Sequence, residues 1–140
     1  MSIEAFIWRY ERGEIVATPL DEILRVFHSY ADSFDEVTGV LHVQFDSAGN
    51  SCDIYLGAKA AASGATPGIM ISRPLHDPRL WDCVLEIMRS GNVILFFSDD
   101  TTPLYATAGA PAHFPQDLIQ SLGEPKLVAS AQDILKSHET

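Results

Sequence analysis

Four groupings in this chain have residue types that could do chemistry. His28 and Asp32 stand four apart, a spacing that sets two metal ligands on one helical face. A metal centre needs a third and a fourth ligand, and none is offered nearby, so the pair reads as a helix-end histidine beside an acid. His42 and Cys52 are the types of a thiolate–imidazole pair. Strand alternation through GVLHVQFD and SCDIYLG, however, points them to opposite sides of a hairpin. The run VILFFSDDTTP sets carboxylates just after a buried strand, where a phosphoryl-transfer nucleophile would stand. That chemistry needs Asp, spacer, Asp, spacer, Thr. Asp99 and Asp100 are adjacent, and they read as a turn whose side chains cap backbone N–H groups. Gly57, Gly64 and Gly68 are too irregularly spaced for a phosphate loop, and no serine sits in a nucleophile elbow. No catalytic set, cofactor site or metal site is expected, and the chain reads as a non-enzymatic protein.

What remains is extended and anionic. The 33 residues between Arg25 and Lys59 hold no Lys or Arg, and they carry Asp32, Asp35, Glu36, Asp46 and Asp53. By the period-two alternation of the hairpin, Asp46 and Asp53 share an outer face with His42, Gln44 and Tyr55. An acidic rim around an aromatic anchor suits the capture of a basic protein. The expected partner-binding residues are therefore Asp32, Asp35, Glu36, His42, Gln44, Asp46, Asp53 and Tyr55. A solvated sheet face accounts for the same composition.

The elements that position these residues follow from local pattern. DPRLWDCVLEIMRSG opens with Asp77 as N-cap and Pro78 at the first helical position. Leu80, Trp81, Val84, Leu85 and Met88 recur along one helical face, and Gly91 is expected to end the helix with a positive φ. NVILFF then makes a strand apolar on both faces, hence central. At the start of the chain, IEAFIWRY is a strand, followed by a turn at Glu11–Glu14 and a short strand at Ile15 and Val16. Thr18 is expected to cap a helix with Pro19 at N1 and a stripe of Leu20, Ile23, Leu24, Phe27 and Tyr30. Ala31–Val37 is expected to be an acidic loop before the hairpin.

In the hairpin Leu41, Val43, Phe45, Cys52, Ile54 and Leu56 face inward. KAAASGATP reads as a mobile connection, GIMISR and LYATA as strands, PQDLIQSL as a helix ended by Gly123, and Lys126–Ala129 as a last strand. Ser130 caps the terminal helix SAQDILKSH. Trp8 and Trp81, each in an apolar periodic stretch, are read as core. The order β-α-β-β-β-α-β-β-α-β-α, with hairpin-length links, predicts an α+β fold. One domain over residues 1–140 is expected, with a largely antiparallel sheet, two main helices on one face and the other face partly open.

Bulk composition narrows the partners. A chain of 140 residues, 46% hydrophobic, supports one core. Its formal charge of −10, from 19 acidic residues against 9 Lys and Arg, disfavours nucleic acid and anionic membrane and steers basic partners inward. Cys52 and Cys83 fall at apolar positions and read as free buried thiols, suited to a reducing compartment. The opening MSIEAFIWRYERGE lacks the basic and apolar regions of a signal peptide, and no apolar run spans a bilayer. A cytoplasmic location is expected.

Three segments carry a family resemblance: the opening FIWRYERGE, the central ISRPLHDPRLWDCVLEIMRSGNVILFF and the closing HFPQDLIQSLGEPKLVAS. Together they cover about half of the chain, which resembles the small acidic immunity proteins that accompany polymorphic or contact-dependent bacterial toxins. The resemblance implies a protein that binds one cognate toxin and blocks it, and it assigns no individual residue. A second class fits the same features: an acidic secretion chaperone or adaptor, often a homodimer, that holds an extended segment of an effector.

Overall fold

The computed structural model describes residues 3–137. Its strands are β1 (Glu4–Glu11), β2 (Glu14–Val16), β3 (Thr18–Pro19), β4 (Ala31–Asp35), β5 (Val40–Gln44), β6 (Ser51–Tyr55), β7 (Ala65–Thr66), β8 (Ile69–Ser72), β9 (Val93–Phe97), β10 (Leu104–Tyr105) and β11 (Lys126–Leu127). The α-helices are α1 (Leu20–Val26), α2 (Ala60–Ser63), α3 (Pro78–Met88), α4 (Gln116–Leu122) and α5 (Ala131–Ser137), with a 3-10 helix at Ala110–His113. One sheet runs β11-β10-β9-β1-β8-β6-β5-β4, and β2 pairs with the end of β1. Every pairing in it is antiparallel except β10 with β11. The expected α+β architecture is what the chain forms.

The two faces of the sheet are covered differently. The inner face gathers Ala5, Ile7, Leu41, Val43, Cys52, Ile54, Ile69, Ile71, Leu95 and Phe97, packed against the apolar sides of α1, α3 and α5. Burial of these side chains is the main source of stability. The outer face carries a smaller cluster in which Tyr10, Ile94 and Phe96 lie beneath Ala110 and Phe114, with Phe6, Trp8, Leu118 and Ile119 around them. The 3-10 helix and α4 thus roof β10, β9 and β1, while among the described residues nothing covers β8, β6, β5 and β4. His113 ties this roof to the β1–β2 turn, its Nδ1 accepting from the Arg12 N–H at 3.1 Å.

Helix α3 and strand β9 form as the pattern dictates. Asp77 accepts the Arg79 N–H at 2.9 Å with Pro78 at N1, all five residues of β9 are buried, and Ser130 Oγ accepts the Asp133 N–H before α5. Other expectations are corrected. Gly91 has no positive φ; α3 ends at Met88, and a Cβ at position 91 would stand 3.1 Å from Arg9 Nε, a tight contact that the Arg9 side chain would have to relieve. Arg9 reaches past it to Glu22 at 3.0 Å. Thr18 caps no helix: it pairs with Thr66 in the β3–β7 ladder, and both threonines are buried. Ala31–Asp35 is an edge strand and not a loop, because its backbone finds β5 to pair with. Since α1 ends at Val26, His28 and Asp32 do not share a helical face. The stretch expected as a mobile connection contains α2, closed by Gly64 in the left-handed region, and β7. The strands at LYATA and at Lys126–Ala129 shrink to two residues each. His138 lies outside the described residues.

Candidate functional site

The uncovered half of the outer face is where chemistry-bearing residues collect. Cross-strand register sets Ser33, His42, Asp53, Ser72 and Glu4 in one row across β4, β5, β6, β8 and β1. Directly opposed residues on one face are the pairs that interact, and the His42 Nδ1–H donates to Asp53 Oδ1 at 2.7 Å. This contact holds the His42 ring against the Asp53 carboxylate. Both side chains remain partly exposed, at 35% and 45%, so the pair contributes little to stability.

Around Asp53 lies a depression of about 420 Å³ lined by His42, Ser51, Tyr55, Ser72 and Arg73. It exists because serines occupy positions 51 and 72, while His42 and Tyr55 stand taller on either side. Arg73, at its edge, holds φ at +51°, a left-handed conformation that costs a non-glycine residue about 1–2 kcal/mol. Its own N–H donates to the Ile3 carbonyl at 3.2 Å. Among the described residues, the side-chain polar atoms of Ser51, Tyr55, Ser72 and Arg73 have no hydrogen-bond or ion-pair partner.

Tyr55 is also one wall of a second depression, of about 340 Å³, lined by Phe6, Trp8, Ile15, Pro67, Gly68 and Met70. Its origin is topological. Strands β8 and β2 pair with successive parts of the same edge of β1, β8 with Glu4–Ile7 and β2 with Arg9–Glu11, so Trp8 falls at the break between them. Trp8 stacks edge-on against Phe96 at 4.9 Å, and a Cβ at Gly68 would stand 2.8 Å from its Nε1. Ile15, 50% exposed, and Tyr55, 36% exposed, are among the most exposed large apolar side chains. A wet acidic strand face and an apolar groove therefore adjoin.

The structure sorts the sequence-derived site residues. His42, Gln44, Asp53 and Tyr55 share the uncovered face. Asp35 lies in the same face opposite Val40, but its carboxylate caps the Val37 and Thr38 N–H groups, which hold its pKa below the ordinary value. Asp32 falls where the β4–β5 register shifts, and Glu36 lies in the turn beyond; both are exposed. Asp46 is the exception. It lies past the end of β5, where Oδ2 accepts from Arg79 Nη2 at 2.7 Å and from Asn50 at 2.7 Å. Arg79 also bridges to Asp77 at 2.7 Å and to the Phe45 carbonyl at 2.9 Å. These bonds, the Arg79 one above all, drive the Asp46 pKa far down, and the carboxylate pins the hairpin to the start of α3.

Sequence reasoning missed Arg73, Ser51, Ser72 and the groove. Trp81 is core as expected, 3% exposed with its indole N–H on the Leu75 carbonyl. Trp8 is only half-buried and faces the groove. The signal was present in EAFIWRY, where Phe6, Trp8 and Tyr10 alternate with Ala5 and Ile7, so that aromatic residues occupy one face alone. Cys52 and Cys83 are free and buried, and burial pushes their thiols up to about 12 and about 11. Among the described residues no three His, Cys, Asp or Glu side chains converge to hold a metal ion, and no helix is long and apolar enough to cross a membrane. No family model, curated protein or solved structure matches this chain.

Proposed function

We propose that this chain is a non-enzymatic immunity protein that neutralises a basic bacterial toxin by docking on it through the uncovered half of the outer face. One observation carries the reading: an apolar groove around Trp8 and Tyr55 adjoins a polar depression over Asp53, on a sheet whose edge strand and following turn expose Asp32, Asp35 and Glu36. Protein interfaces have this anatomy, with apolar anchors at the centre and a polar rim. The net charge of −10 raises the rate of encounter with a cationic surface and makes that rate fall with salt. The three segments that resemble immunity proteins point to the same class of partner.

The test is a binding measurement between the purified chain and the folded product of the neighbouring gene. A stoichiometric complex that abolishes the toxin's activity, and forms more slowly as salt rises, is the expected result. Absence of binding at low salt overturns the proposal. The edge of β4, which among the described residues pairs only with β5, favours a second reading, a chaperone that receives an extended effector segment by strand addition. Protease digestion of the complex separates the two, since a chaperone leaves its partner unfolded and an inhibitor leaves it folded. Asp32, Asp35 and the register shift in β4 oppose strand addition there.

A further inference from the structure

Resting on the reading that this face binds a protein, we propose that its two adjoining depressions form a two-pronged receptor. The depression over Asp53 takes a Lys or Arg side chain of the partner, and the groove beside Trp8 takes an aliphatic or aromatic one. The polar depression offers the Asp53 carboxylate, an acceptor with lone pairs beyond the one that meets His42, and the hydroxyls of Ser51, Tyr55 and Ser72, which have no partner among the described residues and can accept. A guanidinium or ammonium needs such a set, because it carries donors and no acceptor. The adjoining groove is apolar apart from the Trp8 indole N–H, which has no partner among the described residues and remains free for a backbone carbonyl.

Asp53 and Tyr55 are two residues apart on β6, about 7 Å along a strand. Tyr55 lines and divides the two depressions, so two side chains of one partner segment, one on each side of Tyr55, fill both. Among the described residues, Arg73 is the one Lys or Arg lining either depression. Its guanidinium has no ion-pair partner among the described residues, so it competes with the incoming cation. The sign of its effect is therefore diagnostic.

The experiment uses two acetylated peptide amides, Leu-Gly-Arg and Leu-Gly-Glu, titrated into the full chain and followed by amide and indole NMR shifts. The expected result is that the Arg peptide shifts Ser51, Asp53, Tyr55, Ser72 and the Trp8 indole, while the Glu peptide does not. Asp53→Asn weakens the Arg peptide about threefold, and Arg73→Gly, which also suits the left-handed backbone, tightens it by a similar factor. Native spectral dispersion of each variant controls for folding. Equal shifts from both peptides, shifts mapping elsewhere, or reversed signs for the two variants overturn the proposal. The peptides contain no toxin, so a failed toxin complex with intact peptide binding refutes the immunity reading and leaves the receptor standing.

Discussion

Over β10, β9 and β1 the outer face carries Ile94, Phe96, Phe6, Trp8 and Tyr10 beneath the 3-10 helix and α4. Over β8, β6, β5 and β4 the same face carries Ser72, Asp53, Tyr55, His42, Gln44 and Ser33, with no helix above them among the described residues. Sheet geometry is continuous across the boundary; only the side chains and their cover change. An aromatic half has to be roofed because leaving it wet forfeits burial worth about 25 cal/mol per Å². A polar half stays open because covering it would strand unpaired carboxylates. The groove beside Trp8 is the seam between them, the place where apolar surface escapes its roof. The exposed apolar surface at this seam therefore comes from incomplete coverage.

The contrast is broken most severely from the roofed side. Phe114 is buried against Tyr10, and Phe114→Ala is expected to cost about 3 kcal/mol in urea denaturation. It should also raise dye binding to exposed apolar surface. Gly68→Ala attacks the seam. Its new Cβ would meet the Trp8 indole at 2.8 Å, an overpacking worth about 1–3 kcal/mol, with a shift in tryptophan emission as the indole is displaced.

The pin between hairpin and α3 predicts acid sensitivity. Arg79 holds the carboxylates of Asp77 and Asp46 below the ordinary value, so their contribution is complete above about pH 4 and is lost as pH falls through the depressed values. Urea midpoints measured from neutral pH downward should decline in the wild type, and Arg79→Met should flatten that acid limb. Thiol titration checks the inner face. With thiol values near 12 and 11, Cys52 and Cys83 should resist an aromatic disulfide reagent at mildly alkaline pH until denaturant is added. The smallest effect belongs to the open half: Tyr55→Ala should change stability by no more than about 0.5 kcal/mol while weakening partner binding. A large stability loss at Tyr55 would erase the distinction between the two halves.

Some of this was legible in the residue order. Asp77, Pro78 and the apolar stripe of α3 define that helix locally, because capping and periodicity act within a few residues. The unbroken apolar run of β9 declares a strand buried on both sides, and the alternation in β5 and β6 places His42, Asp53 and Tyr55 together. Other assignments failed where distant chain decided. Ala31–Asp35 has an acidic loop composition and becomes a strand because β5 offers its edge. Asp46 has the parity of a surface residue, and Arg79, 33 positions away, takes it for a structural role.

The sequence by itself determined the α+β class, the nucleus of α3 and β9, the acidic charge and which side chains share a strand face. Periodicity, caps and charge are properties of neighbours along the chain, so no folding is needed to read them. Tertiary structure alone decided that a C-terminal roof covers half of the outer face and stops at Trp8, and that Arg73 reaches the edge of the Asp53 depression. It also decided that Asp46 is tied to Arg79 and Asn50 instead of standing free on the open strand face. Each of these depends on which remote segments pack together, and no local pattern carries that information.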